Sequence, residues 1–285
     1  MTFATKLIRG SQMPSMLTNG IQTHYQIQGS GPALVFVSGL GGAGGYWAPQ
    51  VERFARHFTV VTYDQRGAGK SDHPDELYSI KTLADDLQAL IEGLALDRPV
   101  LIGHSTGGAI GQLLAAREPQ LLAGMVLYAS WSKSDAHFNW CFRMRRTLLE
   151  GTSLEEYVHG SALFLYPPEH IRANAESLSP GLLASVANFP AREIVLRRID
   201  AIMAHDATAQ LSMIRIPTLV TCADDDILTP PYQSRLLAEA ISGAELHIVP
   251  KGGHSYSETE TATFNGLLSD FLSRVGFPQT EASAL

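Results

Sequence analysis

Short apolar runs alternate with longer segments of helical period along most of this chain. Residues 21–27 alternate apolar and polar positions, the pattern of an edge strand with one face in water. Residues 33–37, 60–63, 99–102 and 125–129 are compact apolar runs between turn-forming residues, and 217–222 and 246–249 repeat the pattern later. Such runs predict parallel strands buried on both faces. Between them, Ile80, Leu83, Leu87, Leu90, Ile91 and Leu94 recur at the spacing of an amphipathic helix. Strands alternating with helices predict a mainly parallel sheet covered on both sides. From Trp131 to Met213 the rhythm stops. That stretch is helical in pattern, is broken at Pro167-Pro168, Pro180-Gly181 and Pro190, and is rich in large side chains. It is expected to be a helical cap over the carboxyl ends of the strands. The predicted organisation is an extension over 1–15, a core of 16–130 and 214–285, and a cap over 131–213.

Composition narrows the class. With 285 residues, 45% of them hydrophobic and 17% charged, the chain can bury a large core and is not globally disordered. The net charge is −7 without any Lys/Arg block, which argues against a nucleic-acid partner. Cys141 and Cys222 lie far apart and lack metal-type spacing, so no metal is expected, and reduced thiols suit a cytoplasmic protein. Neither a signal peptide nor a membrane-spanning stretch is apparent. The expected partner is a small molecule, with the chain a monomer or homodimer.

The segment 103–107, Gly-His-Ser-Thr-Gly, carries the candidate chemistry. It follows a predicted strand and precedes small and apolar residues at helical spacing, the context of a nucleophile elbow. Ser105 is the candidate nucleophile. A serine hydroxyl needs a base within reach and an acid to orient that base. His254, on the Gly252-Gly253 loop after the last predicted strand, is the candidate base. The acid is sought in Asp224-Asp225-Asp226, just after an earlier strand; Asp226, four residues before Pro230, is preferred, with Asp225 the alternative. Developing charge on the substrate would need two backbone N–H donors. Thr106, after the nucleophile, and Leu40, in the glycine-rich loop 38–45, are the candidates. That loop lacks the endings of a phosphate-binding or dinucleotide-binding loop.

Taken together, Ser38-Gly39-Leu40-Gly41-Gly42, the turn from Asp64 to Ser71, the elbow, Asp226 with Pro230, and Gly253-His254 make the chain resemble an α/β-hydrolase from about residue 16 to 275. The Asp64–Ser71 turn is usually structural in that family. Tyr46-Trp47 after the first loop and 163–167 in the cap are similar to the aminoacrylate hydrolases of the pyrimidine-degradation (Rut) pathway, with 3-oxoadipate enol-lactonases as more distant relatives. Many members have His-Gly where this chain has Ser38-Gly39. The resemblance implies an eight-stranded sheet with an inserted cap. It also implies cofactor-independent cleavage of a small ester, lactone or amide-type bond. The same triad can serve carbon–carbon bond hydrolysis, perhydrolysis or cofactor-free oxygenation, and a non-catalytic receptor could keep the fold. Substrate contacts are expected from Tyr46, Trp47, Trp131, Phe138, Phe164 and Tyr166. Arg143 and Arg146, three apart on a predicted helix, share a face and are the candidates to bind a substrate carboxylate.

Overall fold

The computed structural model describes residues 14–277. Eight strands form one sheet: β1 (Ser15–Thr18), β2 (Ile21–Gln28), β3 (Ala33–Val37), β4 (Thr59–Tyr63), β5 (Val100–His104), β6 (Gly124–Tyr128), β7 (Thr218–Ala223) and β8 (Glu245–Val249). Their spatial order is β1-β2-β4-β3-β5-β6-β7-β8, with the β1–β2 and β2–β4 pairs antiparallel and the other pairs parallel. Most of the expected extension, residues 1–13, lies outside the described residues. Ser15, expected to be its last residue, instead opens β1. The reason is local: Asn19 and Gly20 both take positive φ, +43° and +83°, and close a hairpin that pairs β1 with β2.

Helices α1 (Ala48–Phe54), α2 (Ile80–Gly93) and α3 (Thr106–Arg117) precede β6. Then α4 (Ala136–Gly151), α5 (Leu154–Leu165), α6 (Pro168–Val186), α7 (Arg192–Met203) and α8 (Thr208–Leu211) lie between β6 and β7. The chain ends with α9 (Pro231–Ala240), α10 (Tyr256–Thr259) and α11 (Thr261–Arg274). Strands β3, β5 and β6 are buried along their whole length because helices cover both faces. On one face Val35, Val61, Leu101 and Leu127 meet the apolar stripes of α2 and α3. On the other, Phe36, Ile102 and Tyr128 meet Trp47, Phe54, Phe264 and Phe271.

The helices between β6 and β7 leave and rejoin the core through a narrow neck. Lys133 bridges to Asp206 with an ion pair of 2.8 Å, and Ala207 N–H donates to Ser132 O at 2.8 Å. Within the cap, Pro180 does not break the chain as expected, and α6 runs through it. A proline inside a helix frees the carbonyl four residues earlier. Here that residue, Glu176, is exposed, and α6 has no buried residue, so solvent can serve the freed group. Cys141 and Cys222 are both buried and unpaired.

Candidate active site

Ser105 sits alone between the end of β5 and the start of α3, with φ +52° and ψ −112°. A positive φ in a non-glycine residue is strained and persists only where neighbours enforce it. They do so through its backbone: Ser105 N–H donates to Tyr128 O at 2.8 Å, and Ser130 Oγ donates to Ser105 O at 2.9 Å. Gly103 and Gly107 are required by close approach. A Cβ on Gly103 would lie 2.5 Å from Gly107 O, and one on Gly107 would lie 2.1 Å from Val37 O. The turn therefore packs directly beneath the loop that follows β3.

His254 follows β8 on a loop whose glycines, Gly252 and Gly253, take φ of +132° and +68°. Its Nδ1 lies 2.9 Å from Asp226 Oδ2, and both residues are buried. Asp226 also accepts from Leu228 N–H at 2.8 Å, Thr229 N–H at 3.0 Å and Thr229 Oγ1 at 2.8 Å. Four such contacts suit a buried carboxylate. Asp225 takes another place, accepting from Gly253 N–H at 2.8 Å and so anchoring the histidine loop by its backbone. The loop is held from beneath as well: Tyr128 Oη donates to His254 O at 2.8 Å, and His104 Nε2 lies 3.1 Å from the same oxygen. Burial, followed by the neighbouring His254, pushes the His104 imidazole well below its ordinary pKa, so it stands neutral beside the pair.

The loop after β3 is equally fixed. Ser38 Oγ donates to Ala43 O at 2.8 Å, and Gly44 N–H donates to Asp64 Oδ1 at 2.8 Å. Arg198, reaching down from α7, donates to Leu40 O at 2.9 Å, Arg66 O at 2.5 Å and Gln65 Oε1 at 2.6 Å. Burial lowers this guanidinium to a pKa of about 10. Leu40, Ser105 and His254 line one cavity of about 210 Å³, together with Tyr46, His104, Arg145 and Tyr166.

A strained serine between a parallel strand and a helix, a buried Asp–His pair after later strands and a glycine-rich loop after β3 can be compared with known families. The description "alpha/beta hydrolase fold" matches residues 32–261. The chain belongs to the α/β-hydrolase fold family. Among similar proteins, a Rhizobium rhizogenes protein bearing the name "Putative carbamate hydrolase RutD" is 40% identical over 255 residues, spanning 87% of this chain and 97% of its own. A Pseudomonas syringae pv. syringae protein of the same name is 41% identical over 245 residues, spanning 85% and 94%. The crystal structure of an enol-lactonase from Burkholderia xenovorans superposes with a TM-score of 0.82 at 27% identity, covering 91% of this chain and all of the other.

In this α/β-hydrolase the residues expected to contact substrate are dispersed. Tyr46 and Tyr166 line the cavity; Tyr46 Oη meets Ser257 Oγ at 2.8 Å, and Tyr166 Oη donates to Glu258 Oε2 at 2.8 Å. Trp47 does not line it: fully buried, it packs on Phe36 and Phe264 beneath the sheet. Trp131 and Phe138 pack on each other at a tilt, both buried, near the base of the helices between β6 and β7. Phe164 lines a different cavity, between α5 and α6. Arg143 is exposed, and Arg146 pairs with Glu150 and Asp200 on the surface. The arginine at the cavity is Arg145, which the sequence reading passed over. Its signal was present: Phe138, Cys141, Phe142, Arg145 and Leu149 form the buried stripe of α4. Among the described residues no helix is long and apolar enough to cross a membrane.

Proposed function

We propose that this α/β-hydrolase is a cofactor-independent serine hydrolase that cleaves a small ester, lactone or carbamate-type acyl bond through an acyl-enzyme. Family membership and the carbamate-hydrolase names of its relatives make the chain a hydrolase. The finer reading rests on one observation: His254, paired with buried Asp226 at 2.9 Å, lines the same cavity as the strained Ser105.

With Nδ1 engaged by Asp226, Nε2 is the ring nitrogen left to take the Ser105 proton. Ser105 Oγ then attacks the acyl carbon, and the carbonyl electrons move onto oxygen. The amides of Leu40 and Thr106 are the proposed donors to that oxyanion, aided by the positive end of α3. Collapse expels the alcohol, enol or amine, which takes the proton from His254. Water, deprotonated by His254, then hydrolyses the acyl-enzyme and releases the acid. Preorganisation of the loop by Arg198 and of the histidine by Asp226 is what lets these steps proceed without a metal. Ser105→Ala should lower kcat by roughly 10⁴–10⁶-fold on the true substrate. A fluorophosphonate should label the wild-type protein once, at Ser105. Turnover unchanged by the substitution would defeat the reading.

A further inference from the structure

We infer that the cavity over Ser105, together with the one adjoining it, holds a carboxylate subsite centred on Arg145, with Ser161 as a second donor, and that the substrate bears a free carboxylate remote from its reacting acyl carbon. This rests on the serine-hydrolase reading for the bond cleaved, but not for the anion bound.

Arg145 is 6% exposed, and its Nε has no hydrogen-bond partner. No carboxylate pairs with it among the described residues, and the Phe142 ring lies 5.4 Å from its guanidinium carbon. The other buried arginines differ. Arg66 holds Asp86 through two bonds of 2.8 and 2.6 Å, and Arg198 is satisfied by three oxygens. A guanidinium keeps its charge in a protein, and a buried charge without a counter-ion is strongly unfavourable unless a ligand supplies one.

The surroundings fit an anion. Arg145 lines both the Ser105 cavity and an adjoining one of about 410 Å³, and the two share Leu40, Gly41, Ala43 and Leu165. No acidic residue lines either. Ser161 lines the second cavity, is 6% exposed, and its Oγ is also without a partner. Two buried side chains with unsatisfied donors, from α4 and α5, thus line a space that adjoins the nucleophile's cavity. The planar fork of a guanidinium matches a carboxylate, with the serine hydroxyl able to take a further lone pair. The fitting substrate class is a monoester, lactone or carbamate that carries a carboxylate at its other end.

The test compares monoethyl succinate with its neutral isostere ethyl 4-methylpentanoate by pH-stat. The wild-type ratio of kcat/KM should favour the acid, and Arg145→Gln should lower that ratio by about 10–100-fold, mainly through KM, in keeping with loss of a charge-assisted bond. Ser161→Ala should lower it less. In a Ser105→Ala background, calorimetric titration with monoethyl succinate reads the subsite without turnover, and adding Arg145→Gln should weaken binding at least tenfold. Melting curves guard against misfolding: replacing an unpaired buried charge should leave Tm equal or higher. A ratio unmoved by Arg145→Gln, or no binding of the acid to Ser105→Ala protein, overturns the subsite. Persistent turnover by Ser105→Ala with intact acid binding overturns the nucleophile instead.

Discussion

Three consecutive aspartates show how one residue step separates chemistry from support. Asp226 faces His254, whereas Asp225 points its carboxylate at the Gly253 amide. Asp226→Asn keeps the shape but loses the charge that orients the ring and stabilises the imidazolium, and should drop kcat by about 10⁴-fold. Asp225→Ala removes only a hydrogen bond to the backbone, at about 1 kcal/mol of stability, with a far smaller kinetic effect. Steady-state rates and thermal melts on the two variants separate these roles; comparable kcat losses would contradict the assignment. The sequence favoured Asp226 by its spacing to Pro230 but kept Asp225 as the alternative, because neighbouring loop residues differ only in direction, and direction depends on backbone angles set by the rest of the fold. At Ser105 the opposite holds. Gly103 and Gly107 are compelled by contacts within 2.5 and 2.1 Å, so the pentapeptide already encoded the turn.

Among the elements, the cap helices reach the site by their buried stripes. In α4 that stripe places Arg145 inward, while Arg143 and Arg146 face out. In α7, Ile194, Val195, Arg198, Ile199 and Ile202 form the stripe, and Arg198 ends on Leu40 O. Both arginines occupy apolar positions of the helical period, a readable sign of buried charge. Spacing between arginines, three apart, selected the wrong face because it ignored the apolar register. Arg198 is a positioning residue for the loop bearing the proposed Leu40 donor. Arg198→Met should lower kcat by about 10–100-fold while changing KM little, as expected when support for an oxyanion donor is lost. Arg198→Lys should recover part of it. Equal losses in kcat and in binding of a product acid would mark a merely structural role.

For the whole molecule, two buried histidines contribute to the response to acid. His205, packed edge-on to Trp131 in the neck of the cap, is pushed down by burial to about 4, and His104 lies well below its ordinary value. Above about pH 6.5 these imidazoles are neutral folded and unfolded, so they impose no penalty. Below it the unfolded chain binds protons first, and stability falls as pH drops toward 4, by about 3 kcal/mol for His205 alone. Unfolding curves from pH 7.5 to 4.5 should show that slope. His205→Gln, which cannot titrate, should flatten it; an unchanged slope would assign the acid sensitivity elsewhere.

The order of strand and helix, the elbow and the Ser, Asp and His of the proposed triad were legible in the sequence, because each is tied to local backbone geometry or to a period of a few residues. The hairpin that opens the sheet turns on Asn19-Gly20, a signal that the expectation of an extension over 1–15 passed over. Tertiary structure alone decided which aspartate meets His254, which aromatics reach the cavity and which cap arginine stands there unpaired. Those outcomes depend on how elements distant in the chain are oriented against one another, and a side chain's neighbours across a cavity leave no trace in its own local spacing.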